Sequence, residues 1–319
     1  WQSEANKTSP DMKGLFHKTK RLRDFIRHDI WDVEIEELSK AKARFVKHMK
    51  VLLITIKTFS AEKIGFQAVA LSFFSTMSVV PFIAIAFAVT GGLGLADKLA
   101  SLMYAYFDNS QQVIDTVLGF AQNIINTAQS SSMGLVSALM FAFIVVWMML
   151  NVEKVFNNVW RVQSSRHIIK RLSIIIPMLL VTPFVVLVFF GGSILYSNVL
   201  TNLGLDVEQF SIIKNILTWV LFGIVAALTF SAMYKFIPNA KVNYSEAFRA
   251  AFITAIPFTL VQYTYLETQV FVSRLNNIFG AFAAVPLFMV WINIGWFIIL
   301  IGAELSYAFQ HVDSYNIED

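Results

Sequence analysis

Glu304 stands inside the run WFIILIGAELSYAF, residues 296–309, and ends a stretch from Leu275 to Ala303 without Asp, Glu, Lys or Arg. A carboxylate in such surroundings needs a counter-charge. Two roles suit it. One is a structural ion pair with a basic loop residue such as Arg161, Arg166 or Arg171. The other is an inner-gate ion pair that breaks as a cavity opens. Other polar side chains in apolar stretches are few: Gln67, Ser72, Ser75, Thr76, Ser78, Asn151, Thr182, Thr229, Ser231, Gln262 and Asn293. Taken singly, each reads as a hydrogen bond to a neighbouring helix. Taken together, they read as the lining of a modestly polar cavity, suited to amphiphiles or uncharged groups rather than ions.

Hydrolytic chemistry finds little support. The histidines, His17, His28, His48, His167 and His311, are scattered and form no spaced ligand pair. His28, Asp32 and Glu36 recur at four-residue spacing, which fits a solvated or salt-bridged helix face. The chain has no Cys, which excludes disulfides, thiolate catalysis and Cys-based metal sites. No G-x-S-x-G, P-loop or H-E-x-x-H pattern occurs. Neither an enzyme nor a cofactor or metal is expected.

The elements that must hold Glu304 and its companions are long and apolar. The 319 residues are 56% hydrophobic and 14% charged, against about 45–50% and about 25% in soluble domains. Charge-free gaps cover 64–96, 116–152, 172–205, 215–234, 250–266 and 275–303. A membrane-spanning helix needs about 20 apolar residues, roughly 17–25. The gaps therefore predict an all-α protein with six transmembrane helices, at about 66–93, 133–153, 173–197, 213–236, 247–268 and 281–308. A soluble bundle would show polar faces every three to four residues, and these stretches do not.

Of 25 Lys and Arg, fourteen precede the first span, five follow the second and three follow the fourth. The loops after the first, third and fifth spans carry one each: Lys98, Lys214 and Arg274. Lys and Arg are retained on the cytoplasmic side, so both termini are expected there. The even span count agrees. The first apolar run follows about fifty polar residues, so no secretory signal is expected.

Residues 1–60 are expected to form basic amphipathic cytoplasmic helices. Leu15, Phe16, Leu22, Phe25, Ile26 and Ile30 recur at helical intervals, and a second helix runs from Asp32 towards Lys57. Such helices lie in the headgroup layer beside anionic lipids. The run KTKRLRDFIRH carries no groove-reading motif, so nucleic acid is not an expected partner. The transmembrane domain then covers 61–310, and a cytoplasmic tail 311–319. The outer segment 96–132 contains an amphipathic helix from Val113 to Ile125, which caps the outer mouth or rests on the outer leaflet. Glu267 and Arg274 are expected to pair at the outer end of the fifth span.

Pro81, Pro177, Pro183, Pro257 and Pro286 fall within four of the predicted spans. A mid-helix proline frees a carbonyl that needs another partner in lipid. Such breaks either line polar cavities in transporters or make static kinks. Gly91-Gly92 and Gly191-Gly192 allow close helix approach or end a helix.

Four stretches carry a resemblance. They are AVALSFFSTMSVVPFIAIAFAV in the first span, FNNVWRVQSSRHIIKRL after the second, YKFIPNAKVNYSEAFRAAFITAIPF leaving the fourth, and FGAFAAVPLFMVWINIGWFIILIGAELSYAF in the last. Together they resemble the YihY/BrkB family of bacterial inner-membrane proteins over about residues 45–310. Pro81, Asn157 to Trp160, Pro238 and Gly302 to Leu305 are its most specific points. The resemblance implies six spans. It also brings a serum-resistance virulence-factor label, an older ribonuclease BN label, and a suggested role in exporting lipid or lipopolysaccharide precursors.

The expected function is transport or flipping of a lipid or other amphiphile in the inner membrane, without ATP. Glu304, Asn293, Pro81, Ser75, Pro183, Asn157 and Arg166 are candidates for its cavity or gate. The alternatives are a membrane scaffold that binds partners and, following the older label, a membrane-bound ribonuclease.

Overall fold

The structure is a computed structural model. It describes residues 39–61, 63–91, 94–106, 132–162, 166–167, 169–173, 211–279 and 284–315, with short stretches between 111 and 126 and at 176–177 and 180–181. The expected helix at 12–30, most of the third span at 173–197, Pro183 and the pair Gly191-Gly192 lie outside the described residues.

The described elements are helices: α1 Lys40–Ala61, α2 Ile64–Gly91, α3 Ala96–Tyr106, α4 Ser132–Val159, α5 Ser211–Phe236, α6 Tyr244–Phe279 and α7 Ala284–His311. Four segments are long and apolar enough to cross a membrane: Ile64–Gly91, Leu139–Val159, Ile216–Phe236 and Pro286–His311. The predicted fifth span falls within α6, a helix of 36 residues.

Each long helix turns a row of large apolar side chains outward. On α2 these are Phe66, Val69, Phe73 and Met77; on α5, Ile216, Val220, Ile224 and Leu228; on α6, Phe252, Ile256 and Leu260. The three- to four-residue spacing puts each row on one helical face. Water would penalise so much contiguous apolar surface, whereas hydrocarbon accommodates it.

Inward faces are small. Ala247, Ala250, Ala251 and Ala255 of α6 are buried, as are Ala303 and Ala308 of α7. Small side chains let helix backbones approach, and close packing holds helices together where lipid supplies no hydrophobic drive. Helix α7 lies at the centre and packs against α1, α2, α4, α5 and α6. The core joins Ile64, Ala68 and Leu71 of α2, Phe156 and Val159 of α4, Phe230 and Tyr234 of α5, and Leu300 and Ala303 of α7. Val51 and Ile54 attach α1 to Ala308 and Val312.

Left-handed residues follow three of the described helices, Lys63 after α1 at φ 51° among them. Gly94, at φ 70°, closes α2 while Leu95 N–H donates to the Thr90 carbonyl at 2.8 Å. Arg161, at φ 53°, closes α4 in the same way: Val162 N–H donates to the Asn157 carbonyl and Arg161 N–H to that of Asn158, both at 2.9 Å. This motif normally takes glycine.

The prolines act differently from one another. Pro81 is buried inside α2, while Pro257 inside α6 faces outward. Pro286 corrects the expectation of a break in the last span. It stands in the first turn of α7, where its missing N–H would lack an intrahelical partner anyway. Val113 to Ile125 is only partly described, with Ile114 buried and Asp115 bonded to Tyr104 of α3 at 2.5 Å. The side chains of Glu267 and Arg274 lie outside the description.

Candidate functional site at the basic end of the bundle

Helix α4 runs to Val159, six residues beyond the predicted end of its span. Its last two turns carry Glu153 and Asn157 into the core, and Trp160 follows them. Asn158 Nδ2 donates to Gln67 Oε1 at 3.5 Å, which sets the end of α4 beside the start of α2. The C-terminal part of α7, with Glu304, Tyr307 and His311, packs against this end.

Glu304 is 0% exposed. Its electrostatic neighbours are Arg161 and Tyr307. The Arg161 guanidinium carbon lies 5.3 Å from the Tyr307 ring centroid and 5.9 Å from that of Tyr315. Partial burial pulls the Arg161 pKa down, but Tyr307, Tyr315 and Glu304 outweigh it and hold the guanidinium above its ordinary value. Arg161 is thus firmly cationic. Trp160 stands edge-on to Tyr307 and His311, whose own rings stack with centroids 4.2 Å apart.

The three arginines offered as partners for Glu304 separate. Arg161 faces it. Arg171 meets Glu153 instead, Nε to Oε2 at 3.4 Å. Arg166 grips the end of α5, donating to the carbonyls of Phe236, Ile237 and Pro238 at 3.2, 3.0 and 2.6 Å and to Asn239 Oδ1 at 3.2 Å. Those carbonyls are left over where a helix ends, and a planar cation satisfies several at once. Asn157 Oδ1 accepts from Asn239 N–H at 2.7 Å. Arg166 and Asn157 therefore hold one turn between them, at positions 236–239.

The remaining candidates lie deeper. Ser75 Oγ accepts from Trp296 Nε1 at 2.8 Å, joining α2 to α7. Asn293 lies one turn before Trp296, and its Nδ2 is buried without an acceptor among the described residues. Pro81 is six residues past Ser75, about 9 Å along α2. Further towards the basic end, Tyr234 is fully buried and donates from its hydroxyl to the Ile299 carbonyl at 3.0 Å.

Several positions at this end carried no signal in the sequence. Glu153 follows a charge-free gap and reads as a span boundary, yet it is only 5% exposed. Tyr307 and Tyr315 carry no spacing signal, since their meaning lies in a ring contact with Arg161 across the chain. No group of three or more His, Cys, Asp or Glu suited to a metal occurs among the described residues.

Long apolar helices with outward lipid-type faces, small inward faces and a basic end define an α-helical membrane protein that crosses the bilayer several times. The chain belongs to the virulence factor BrkB family, whose profile matches residues 55–319. It is similar to a UPF0761 membrane protein of Alteromonas mediterranea, 28% identical over 258 residues, covering 79% of this chain and 85% of that one. A UPF0761 membrane protein of Vibrio vulnificus is 27% identical over 282 residues, covering 86% and 85%. One from Haemophilus influenzae is 25% identical over 267 residues, covering 82% and 95%. No solved structure matches the chain.

Proposed function

We propose that this protein moves a lipid or other amphiphile across the bacterial inner membrane without ATP. It does so as a six-span bundle with both ends in the cytoplasm. The observation that carries this reading is Glu304: a carboxylate with no exposed surface on the central helix, beside a cation from the loop after α4. Burying a charge costs free energy, and structural needs alone are met as well by apolar residues. The adjoining loop residue Arg161 gives the pair a way to open, because a loop moves more readily than a packed span. Serines, Trp296 and Asn293 make the α2–α7 contact mildly polar, which suits a headgroup better than a bare ion.

The test is reconstitution of the full chain into liposomes containing a fluorescently tagged lipid, with a membrane-impermeant quencher outside. Tagged lipid should change leaflet faster than in protein-free liposomes, and Glu304→Gln should slow that change at equal protein incorporation. Leaflet exchange no faster than in empty liposomes, for zwitterionic and anionic lipids alike, would overturn the reading.

A further inference from the structure

Near the basic end, polar contacts tie down the α5–α6 hairpin. Gln310 of α7 brackets the turn, its Nε2 donating to the Lys241 carbonyl at 2.9 Å and its Oε1 accepting from Asn243 N–H at 2.8 Å. Arg166 and Asn157 hold positions 236–239 of the same turn. Tyr234 of α5 donates to the Ile299 carbonyl, and Thr254 of α6 presses on Gly302. Past Thr254, towards the far end, the three helices meet through rings. Phe222 faces Phe258, Trp219 faces Tyr263 and Tyr265 stacks on Trp291, at centroid distances of 6.2, 5.3 and 4.6 Å.

Both helices of the hairpin are weak at the level where the contacts change. Pro257, three residues past Thr254 inside α6, lacks the N–H that would donate to the Ile253 carbonyl, so α6 bends there at lower cost. Gly223 of α5 lies beside it, since a β-carbon there would stand 3.5 Å from Thr259 Oγ1. Glycine inside a helix restrains the backbone least. Helix α5 leans chiefly on α6, so the two bend together. We propose that Pro257 and Gly223 form a hinge, about which the far half of the hairpin swings away from α7 while the half at the basic end stays fixed. Ile256 and Leu260 face outward, so lipid is the side into which it swings. The Tyr265–Trp291 stack holds the hinge closed. One stack is weaker than the several hydrogen bonds, charge-assisted at Arg166, that hold the other end. A turn of about 20° at the proline moves Thr268, about 17 Å further along α6, by roughly 6 Å. The hinge needs no substrate, so it goes beyond the transport reading and stands without it.

The chain has no native cysteine, so spin labels can be placed in pairs on the full chain in nanodiscs. Lys154→Cys with Ser245→Cys reports the basic end, and Leu139→Cys with Thr268→Cys reports the far half. Lys154, Ser245 and Leu139 are exposed. Pulsed dipolar spectroscopy should give a single narrow distance for the first pair and a distribution wider by roughly 6 Å for the second. Pro257→Ala should narrow the second distribution to the width of the first. Gly223→Ala should narrow it too, because the added methyl meets Thr259 at ordinary contact distance. Trp291→Leu should move the second distribution to longer distances and leave the first unchanged. Equally narrow distributions in the unmodified background overturn the hinge. So does a broad far distribution that neither Pro257→Ala nor Gly223→Ala narrows. A broad distribution for the first pair overturns the fixed end, and unchanged distances in Trp291→Leu overturn the stack as the closing contact. If the distances follow the expected pattern while leaflet exchange matches that of empty liposomes, the hinge stands and the transport reading falls.

Discussion

Gly302 of α7 lies so close to Thr254 of α6 that a β-carbon on the glycine would fall 2.0 Å from the Thr254 hydroxyl oxygen and 2.1 Å from that of Tyr234. The helices meet backbone to side chain there, two residues before Glu304. The glycine sets how far Glu304 is drawn into the bundle.

Gly302→Ala should therefore destabilise strongly. Overpacking a tight core costs about 1–3 kcal/mol, and here two hydroxyl groups must move. Thermal unfolding in detergent should show a clear drop in Tm. Thr254→Ala should relieve only part of it, since Tyr234 remains. A Gly302→Ala protein with unchanged Tm would contradict the contact.

Glu304→Gln keeps size and shape. Arg161 is exposed, so solvent screens its interaction and the stability cost should stay within about 1 kcal/mol. Leaflet exchange should fall about tenfold or more, equivalent to about 1.4 kcal/mol in the barrier. Lower expression with unchanged exchange per molecule would make Glu304 structural.

Arg161 allows strain and charge to be separated. A left-handed non-glycine residue costs roughly 1–2 kcal/mol, and an exposed cation–π contact returns about 0.5–1 kcal/mol. Arg161→Gly loses the contact but relieves the backbone; Arg161→Ala loses the contact and keeps the strain. Denaturant titration should place the glycine variant about 1 kcal/mol above the alanine variant. Equal stabilities would mean that the backbone is not strained there.

Tyr104 gives a pH signature. Its hydroxyl donates to Asp115 Oδ1 at 2.5 Å, and this bond, with burial and the carboxylate's charge, raises its pKa above the ordinary 10.0. A raised pKa means that the contact contributes fully below pH 10 and is lost as pH climbs through the higher folded value. Ultraviolet titration of wild type minus Tyr104→Phe should give a midpoint above 10, moving down in Asp115→Asn. A midpoint at or below 10 would refute the bond.

The absence of cysteine makes orientation testable. Single cysteines at Lys241 and Lys98, both exposed, should differ in intact cells: an impermeant maleimide should modify position 98 and spare 241. The reverse would invert the proposed topology.

Much of the helix plan was legible as missing charge, because lipid excludes charged side chains over the length of a span. The gap 64–96 corresponds to α2 and the gap 215–234 to most of α5. Ends were less legible. Glu153 looked like a stop, but Arg171 accompanies it inward and α4 continues to Val159. Pro286 looked like a kink, and only its place in the first turn makes it harmless. At the site, Glu304 was visible as one charge in an apolar run. Its neighbour Arg161 was not, since it comes near Glu304 only through folding and leaves no local pattern.

The position of α7 has a consequence for biogenesis. It follows the other described helices in the chain, so it emerges from the ribosome after them, yet it is the element on which five of them converge. Until it inserts, the alanine face of α6 and the serine face of α2 wait in the bilayer without their permanent partner. Quality control would therefore see an open assembly until the final hydrophobic segment arrives, and premature stops before Trp296 should yield chains that are degraded rather than partly active.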